Sequence, residues 1–178
     1  LSPGLLANMA AGIFILPFFL FSASAGQIAD KYDKARLIRI VKAAEIAIML
    51  LAAAGFTLLS LPLLLLALFL MGLHSTVFGP IKYSILPQHL HPDEMMGGNG
   101  LIESGTFLAI LLGTILGGTL IGLPGGPGHA ALACCLIAVA GYLACRHIPA
   151  APAPEPGMRI NWNPLSETAR NLGFARGE

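Results

Sequence analysis

The chain has 178 residues, of which 56% are hydrophobic and only 11% are charged. A soluble domain carries roughly 25% charged residues, so this composition excludes an ordinary soluble protein. The net charge of +1 says nothing about a partner, and we expect no nucleic acid to be one. The chain begins at Leu1, without a Met or a basic leader, and stops at Glu178, so we expect a piece of a longer protein with no signal peptide.

Apolar stretches long enough to cross a bilayer recur along the chain. A span needs about 20 apolar residues, and it must be helical because lipid cannot satisfy open backbone groups. We predict five helical spans, at about 5–25, 37–59, 61–86, 98–123 and 129–147. Pro17 and the pair Gly79-Pro80 predict bends in the first and third of them. The predicted fold is all-α, a polytopic membrane helical bundle over residues 1–148.

The basic residues orient this bundle, because they are confined to one side of it. They lie within or near the connections after the first, third and fifth spans, whereas the other two connections have no Lys or Arg. The ten residues are Lys31, Lys34, Arg36, Arg39, Lys42, Lys82, Arg146, Arg159, Arg170 and Arg176. The positive-inside rule makes their side cytoplasmic, so we expect a multi-pass protein of a bacterial inner membrane whose N-terminus lies outside.

Residues 149–178 have a different composition and are predicted to be a cytoplasmic linker. Ala150–Pro156 is rich in Pro and Ala. Asn163-Pro164 is typical of a helix start, and Gly173 suits its C-cap. We interpret the stretch between them as a short amphipathic helix at the membrane interface, with a disordered tail as the alternative.

A compact charged turn follows the first span, with the sequence Gly26-Gln27-Ile28-Ala29-Asp30-Lys31-Tyr32-Asp33-Lys34-Ala35-Arg36. An acid at a helix end can accept hydrogen bonds from a neighbouring helix or pair with a base. The turn resembles the loop 2–3 signature of the major facilitator superfamily, G-x-L-A-D-R/K-x-G-R/K-R/K, with Asp33 in place of the second Gly and Ala35 in place of a base. The alternative is a plain basic loop that only fixes orientation.

This resemblance implies a fold and a role for the turn. The chain would be the N-terminal half of a major facilitator transporter, covering helices 2–6, with helix 1 absent and the C-terminal six-helix bundle missing. The turn would be a conformational clamp that is made and broken as two helix bundles rock. The clamp residues would be Gly26, Asp30, Lys31, Lys34 and Arg36.

Two further segments place charges within apolar helices. Gly79–Pro87 carries Lys82 near the predicted cytoplasmic mouth, where it either snorkels outward or faces a cavity and meets an anionic phosphate. Glu103 lies about two turns inside the fourth span, where a carboxylate is costly unless it finds a partner or water. Lys82 is one candidate partner. We predict a substrate cavity lined by Lys82, Tyr83, Asn99 and Glu103.

The same segments carry a more specific resemblance. Pro80-x-Lys82-Tyr83-x-Ile85-Leu86, Asn99-Gly100-Leu101-x-Glu103-Ser104 and Ala109–Gly113 resemble the bacterial lysophospholipid transporter family. They are still more similar to its transporter domain fused to a lysophospholipid acyltransferase and acyl-[acyl-carrier-protein] synthetase. The resemblance implies inward movement of lysophosphatidylethanolamine, or of lysophosphatidylglycerol, for re-acylation, with membrane lipids and an acyltransferase/acyl-ACP synthetase as partners.

Catalysis and metal binding receive little support from the sequence. Glycerolipid acyltransferases use His-x4-Asp, but from His89 that spacing reaches Glu94 instead of an Asp, so we interpret 89–94 as a solvated loop. Adjacent Cys134 and Cys135 lack zinc-site spacing. The sequence has no Gly-rich phosphate loop and no nucleophile elbow, and we expect no catalytic residue, metal or cofactor in this chain.

Two other functions stay open. One is an antiporter of another small amphipathic solute, although Gly113–Gly118 lacks the Pro of the antiport signature. The other is a membrane anchor for a fused acyltransferase, which would need no charge inside the membrane. Glu45 is explained by a helical pair with Lys42, and His74 by a hydrogen-bonded packing role, with a proton relay as its alternative.

Overall fold

A computed structural model of the chain describes residues 2–161 and 163. Its long helices are α1 (Pro3–Lys31), α2 (Lys34–Thr57), α3 (Leu61–Ser84), α5 (Met95–Ile121) and α6 (Gly126–Cys145). Between α3 and α5 lie the short helix α4 (Leu86–His89) and one 3-10 turn (Pro92–Glu94). The described residues form no strand, which confirms the all-α prediction.

Four of these helical stretches are long and apolar enough to cross a membrane. They are Pro3–Lys31, Leu61–His89, Pro92–Ile121 and Gly126–Cys145. The first half of α2 instead carries Lys34, Arg36, Arg39, Lys42 and Glu45. That α2 also crosses the membrane, which would bring the number of spans to five, stays a prediction.

The bundle is built on α3, which packs against α1 on one side and α2 on the other, while α2 also packs against α6. The crossing of α1 and α3 is closest at Gly72, where an added Cβ would overlap the carbonyl oxygen of Phe14 and lie 3.2 Å from Pro17 Cγ. Both helices continue through their internal prolines, Pro17 and Pro80.

Helix α5 stands apart from the others, because it packs mainly on α6 and buries none of its residues. Gly105, Gly113 and Gly117 are spaced by multiples of four residues and form a stripe of small residues along α5. A Cβ added at any of the three would meet no atom of the described chain within 4 Å. Within the part that the structure describes, the stripe therefore packs against no helix.

We call the end of the bundle where α1 and α6 finish and α2 begins the basic end. A strap of residues 149–161 crosses it. Ala151, which is 0% exposed, joins the apolar core there. The strap is tied to α1 by the Glu155 N–H, which donates to the Asp30 carbonyl oxygen over 3.0 Å. The Gln88 side chain donates to the Pro152 carbonyl over 3.0 Å, which ties the strap to α4. The linker therefore packs on the bundle, while the predicted amphipathic helix from residue 164 onward lies outside the described residues.

The predicted topology can be tested by single-cysteine labelling of the full-length protein in a background from which its own cysteines have been removed, Cys134, Cys135 and Cys145 among them. Tyr32 is 47% exposed at the basic end. Gly128 lies in the first turn of α6, where an added Cβ meets no atom within 4 Å. We expect Gly128→Cys to react with a membrane-impermeant reagent from the periplasm and Tyr32→Cys to be protected. The opposite pattern would invert the bundle. Gly126 is unsuitable for the test because its Cβ would overlap the Ile121 carbonyl oxygen.

Candidate functional site

The charged turn after α1 is shaped by Asp33. Its Oδ1 accepts the Arg36 N–H over 2.7 Å, which caps α2, and its Oδ2 accepts the Ala151 N–H over 3.3 Å. Its backbone has φ −57° and ψ 121°, which any residue can adopt, so the turn does not need the glycine of the superfamily signature at this position. An Asp at the N-cap contributes about 1 kcal/mol to helix stability, which explains the departure from the signature.

Lys34 is buried beside this cap, although a lysine is rarely buried without a partner. Its side chain is among the largest that are fully buried, and its Nζ makes no hydrogen bond within the described residues. Burial lowers the pKa of Lys34 below its ordinary value, and the carboxylates of Asp30 and Asp33 counteract this by raising it. The Asp30 side chain makes no hydrogen bond to the described chain, so it acts on Lys34 through charge.

The other predicted clamp residues are placed less tightly. Lys31 Nζ lies 5.7 Å from the centroid of the Tyr32 ring, in a cation–π arrangement. Arg36 is exposed on α2. Gly26 lies inside α1, where an added Cβ would meet no atom within 4 Å, so nothing in the described residues requires a glycine there. The structure brings together Asp30 and Lys34, and the clamp itself stays a prediction.

A cavity of about 420 Å³ opens near the basic end between α2, α3, α4 and α6. We call it the two-lysine cavity, because Lys42 and Lys82 both line it, together with His89. Its other walls are mainly apolar, with Ile38, Phe78, Ile85 and Ile148 among the lining residues. An apolar cavity with a few convergent polar groups is the usual form of a ligand site.

Two polar contacts join α3 to α5 beside this cavity. Lys82 Nζ donates to Thr106 Oγ1 over 3.1 Å, and the Tyr83 hydroxyl donates to Glu103 Oε1. Lys82 Nζ also lies 4.8 Å from the centroid of the Tyr83 ring. The hydrogen-bond partner of Glu103 is therefore Tyr83, and Lys82 contacts the ring of the same tyrosine. Asn99, the fourth predicted cavity residue, is exposed and makes no hydrogen bond to the described chain.

A second charged cluster lies deeper between α2 and α3. Lys42 Nζ and His74 Nε2 approach the same oxygen of Glu45, Oε2, at 2.7 Å and 3.4 Å. The ring of Phe78 stacks on His74, with centroids 5.9 Å apart, and lies 5.0 Å from Lys42 Nζ. Sequence spacing predicts the Lys42–Glu45 pair. The contact of Glu45 with His74 depends on how α2 and α3 are rotated against each other, so sequence reasoning missed it.

Glu94, the acid at the acyltransferase spacing from His89, has a structural role. Glu94 Oε2 accepts the His91 N–H over 3.0 Å and caps the 3-10 turn. No group of three or more His, Cys, Asp or Glu side chains in the described residues is placed to hold a metal ion.

Known proteins identify the class to which this bundle belongs. The family model of the Major Facilitator Superfamily matches residues 2–173, so the chain belongs to this superfamily of transporters. Its membership of this superfamily and its apolar helices make the chain a multi-pass protein of the bacterial inner membrane. No solved structure matches the chain.

Among curated proteins, the chain is similar to several named lysophospholipid transporter LplT. The relative from Escherichia fergusonii is 34% identical over 165 residues, which cover 88% of this chain and 37% of that protein. The relative from an Enterobacter species is 31% identical over 168 residues, covering 89% and 38%. The one from Salmonella newport is 34% identical over 163 residues, covering 90% and 37%. The chain therefore spans less than half the length of these relatives.

Proposed function

We propose that the chain is part of a transporter that moves lysophospholipids across the bacterial inner membrane. A lysophospholipid presents one phosphate and one acyl chain, so its site needs positive charge beside an apolar surface. The observation that carries the proposal is the two-lysine cavity, where Lys42 and Lys82 meet apolar walls in about 420 Å³. Ligand sites span about 300–1,000 Å³ and are mostly apolar. The names of the relatives agree with this ligand.

The wider proposal concerns the whole transporter. Alternating access needs two helical bundles that rock about a central site, so residues 1–148 would supply helices 2–6 of one bundle and the rest of the protein would supply helix 1 and the other bundle. The cargo would be lysophosphatidylethanolamine, with lysophosphatidylglycerol as the second candidate. An acyltransferase/acyl-ACP synthetase, fused or separate, would re-acylate it, and this chain would contribute no catalytic residue.

The proposal is tested by uptake of labelled lysophosphatidylethanolamine into cells that lack their own transporter, normalised to protein in the membrane. We expect Lys82→Ala in the full-length protein to reduce uptake about tenfold or more, because a hydrogen bond to a charged group contributes about 1.5–3 kcal/mol. Glu103→Gln should reduce uptake too. The double variant should be no worse than the poorer single one, since the residues are joined through Tyr83.

Two control variants separate binding from structure. Thr106→Val removes the hydrogen bond from Lys82 but keeps the ammonium, and Arg146→Ala removes an exposed base just after α6, outside the cavity. Both should retain most of the uptake. If Thr106→Val matches Lys82→Ala, the lysine acts by joining helices. Additive effects of Lys82→Ala and Glu103→Gln would mean separate roles, and normal uptake in both would leave the lipid proposal without chemical support from these residues.

A further inference from the structure

The cluster of Lys42, Glu45 and His74 contains more ionisable groups than helix packing needs. The His74 side chain is only 7% exposed and that of Glu45 only 14%. Neither ring nitrogen of His74 makes a hydrogen bond within the described residues, although Nε2 lies 3.4 Å from Glu45 Oε2. A histidine placed for packing normally satisfies at least one ring nitrogen when it is buried. His74 instead stands at ion-pair distance from a carboxylate oxygen that Lys42 already holds.

Counting charges shows what a proton would do here. With neutral His74, the Lys42 ammonium balances the Glu45 carboxylate and the cluster has no net charge. With protonated His74, two cations share one carboxylate oxygen, and the cluster carries one positive charge. Excess charge is costly in a membrane bundle unless an opposite charge accompanies it. An anionic ligand in the two-lysine cavity would supply that opposite charge. Lys42 can contact such a ligand, because it also lines the cavity.

We propose that His74 and Glu45 form a proton-binding site, and that the bound proton releases Lys42 from Glu45 to an anionic phosphodiester in the two-lysine cavity. The ligand in this statement rests on the proposed function, whereas the proton site itself rests on the geometry of the cluster. The proton comes from water and adds to the ring nitrogen of His74 that carries no hydrogen. No covalent bond to the substrate forms. By linkage, proton and phosphodiester then strengthen each other's binding.

The surroundings offer few other groups to titrate. On α2 the cluster includes Lys42 and Glu45, and on α3 the cavity adds Lys82. Helix α6 places Gly141 against Lys42, where an added Cβ would lie 3.6 Å from Nζ, and the cavity also contains Cys145 and, from α4, His89. Among the described residues, α1 has no acid or base at ion-pair distance from the cluster. His74 and His89 are therefore the two histidines that the experiments must distinguish.

The first experiment measures binding of labelled lysophosphatidylglycerol to the full-length protein in nanodiscs at pH 6 and pH 8. We expect wild-type affinity to be about fivefold or more higher at pH 6, the usual scale of coupling between two sites. His74→Gln should bind at the weak level at both pH values, because it takes up no proton. Glu45→Gln should bind at the tight level at both, because the neutral amide no longer holds the Lys42 ammonium. Only the proposed site predicts both results together: weak binding at both pH values in His74→Gln and tight binding at both in Glu45→Gln.

Control variants and outcomes separate the alternatives. His129→Gln, near the start of α6 at the opposite end of the bundle, should keep the full pH dependence. Equal wild-type affinity at both pH values would overturn the proposal, and so would a pH dependence abolished by His89→Gln instead of His74→Gln. If lysophosphatidylglycerol and lysophosphatidylethanolamine fail to bind at any pH, the proposed function is wrong, but the proton site still has its own test.

That second test needs no ligand. Histidine labelled with ¹³C at the ring carbon gives a signal that shifts when the imidazole takes up a proton, and the His74 signal is the one missing from His74→Gln. We expect it to titrate between pH 5 and 8 in the wild-type protein and to do so at a different pH in Glu45→Gln. A His74 signal that does not titrate in this range, or that is unaffected by Glu45→Gln, would overturn the proposal whatever the substrate is.

Discussion

Replacing Gly72 by Val is expected to remove most of the folded full-length protein from the membrane. Gly72 lies where α1 and α3 cross, and an added Cβ would overlap the Phe14 carbonyl oxygen and press on Pro17. Backbone cannot move aside as a side chain can, so the two helices must separate. Overpacking a core costs about 1–3 kcal/mol, and a clash with backbone belongs at or above the upper end of that range. The measurement is membrane abundance together with the unfolding temperature in detergent.

Gly12→Val is the matched control for this prediction, because Gly12 lies on α1, the other helix of the crossing, and an added Cβ meets no atom there within 4 Å. It should reach wild-type abundance. Gly72→Ala should lie between the two, since it adds one carbon at the crossing. Equal abundance and equal unfolding temperatures for Gly72→Val and Gly12→Val would show that α1 and α3 do not cross as closely as the structure has them.

The fold class could be predicted from sequence because membrane spans are recognised from local composition, whereas the superfamily is indicated by the resemblance of residues 26–36 to a known signature. Apolar runs of sufficient length, separated by basic loops, can only be helices in a membrane, and local spacing also predicts the Lys42–Glu45 pair. The ends of the helices differ by a few residues from the predicted spans: α2 begins at Lys34 and α5 at Met95. At α2 the helix extends beyond its apolar run into the charged residues Lys34 and Arg36, which lipid need not cover, whereas α5 begins with Met95 directly after the 3-10 turn.

The contacts between helices could not be predicted, because they depend on rotation and on backbone packing. Spacing offers Lys82 as a partner for Glu103, but Tyr83, the next residue around α3, makes the hydrogen bond. The pairing of His74 with Glu45 has no local signal at all. The contacts of the strap could not be predicted either, because its Pro- and Ala-rich composition indicates only a linker. In the structure Ala151 is buried, its N–H donates to Asp33 and its carbonyl oxygen accepts the Lys34 N–H.

Replacing Asp30 by Asn is expected to impair transport more than folding. The Asp30 carboxylate opposes the desolvation of the buried Lys34 ammonium, as its effect on the pKa of Lys34 indicates. It makes no hydrogen bond to the described chain, so an amide of the same shape should leave the turn folded. The amide carries no charge, however, and Lys34 would keep only Asp33 as a counter-charge. The predicted clamp, which would form in one transport state and open in the other, would then lose part of its stabilisation in one of them.

We expect Asp30→Asn to reach near-wild-type abundance and to lose about tenfold or more in uptake rate, since each 1.4 kcal/mol changes a rate tenfold. The matched control is Glu155→Gln. It makes the same chemical change on an exposed acid of the strap that contacts Asp30 only through the backbone, and it should transport normally. Loss of uptake in proportion to loss of protein would make Asp30 a folding residue. Normal uptake at normal abundance would mean that the charged turn only fixes the orientation of the protein. Lys34 would then tolerate the loss of its neighbouring charge in every state of the transport cycle.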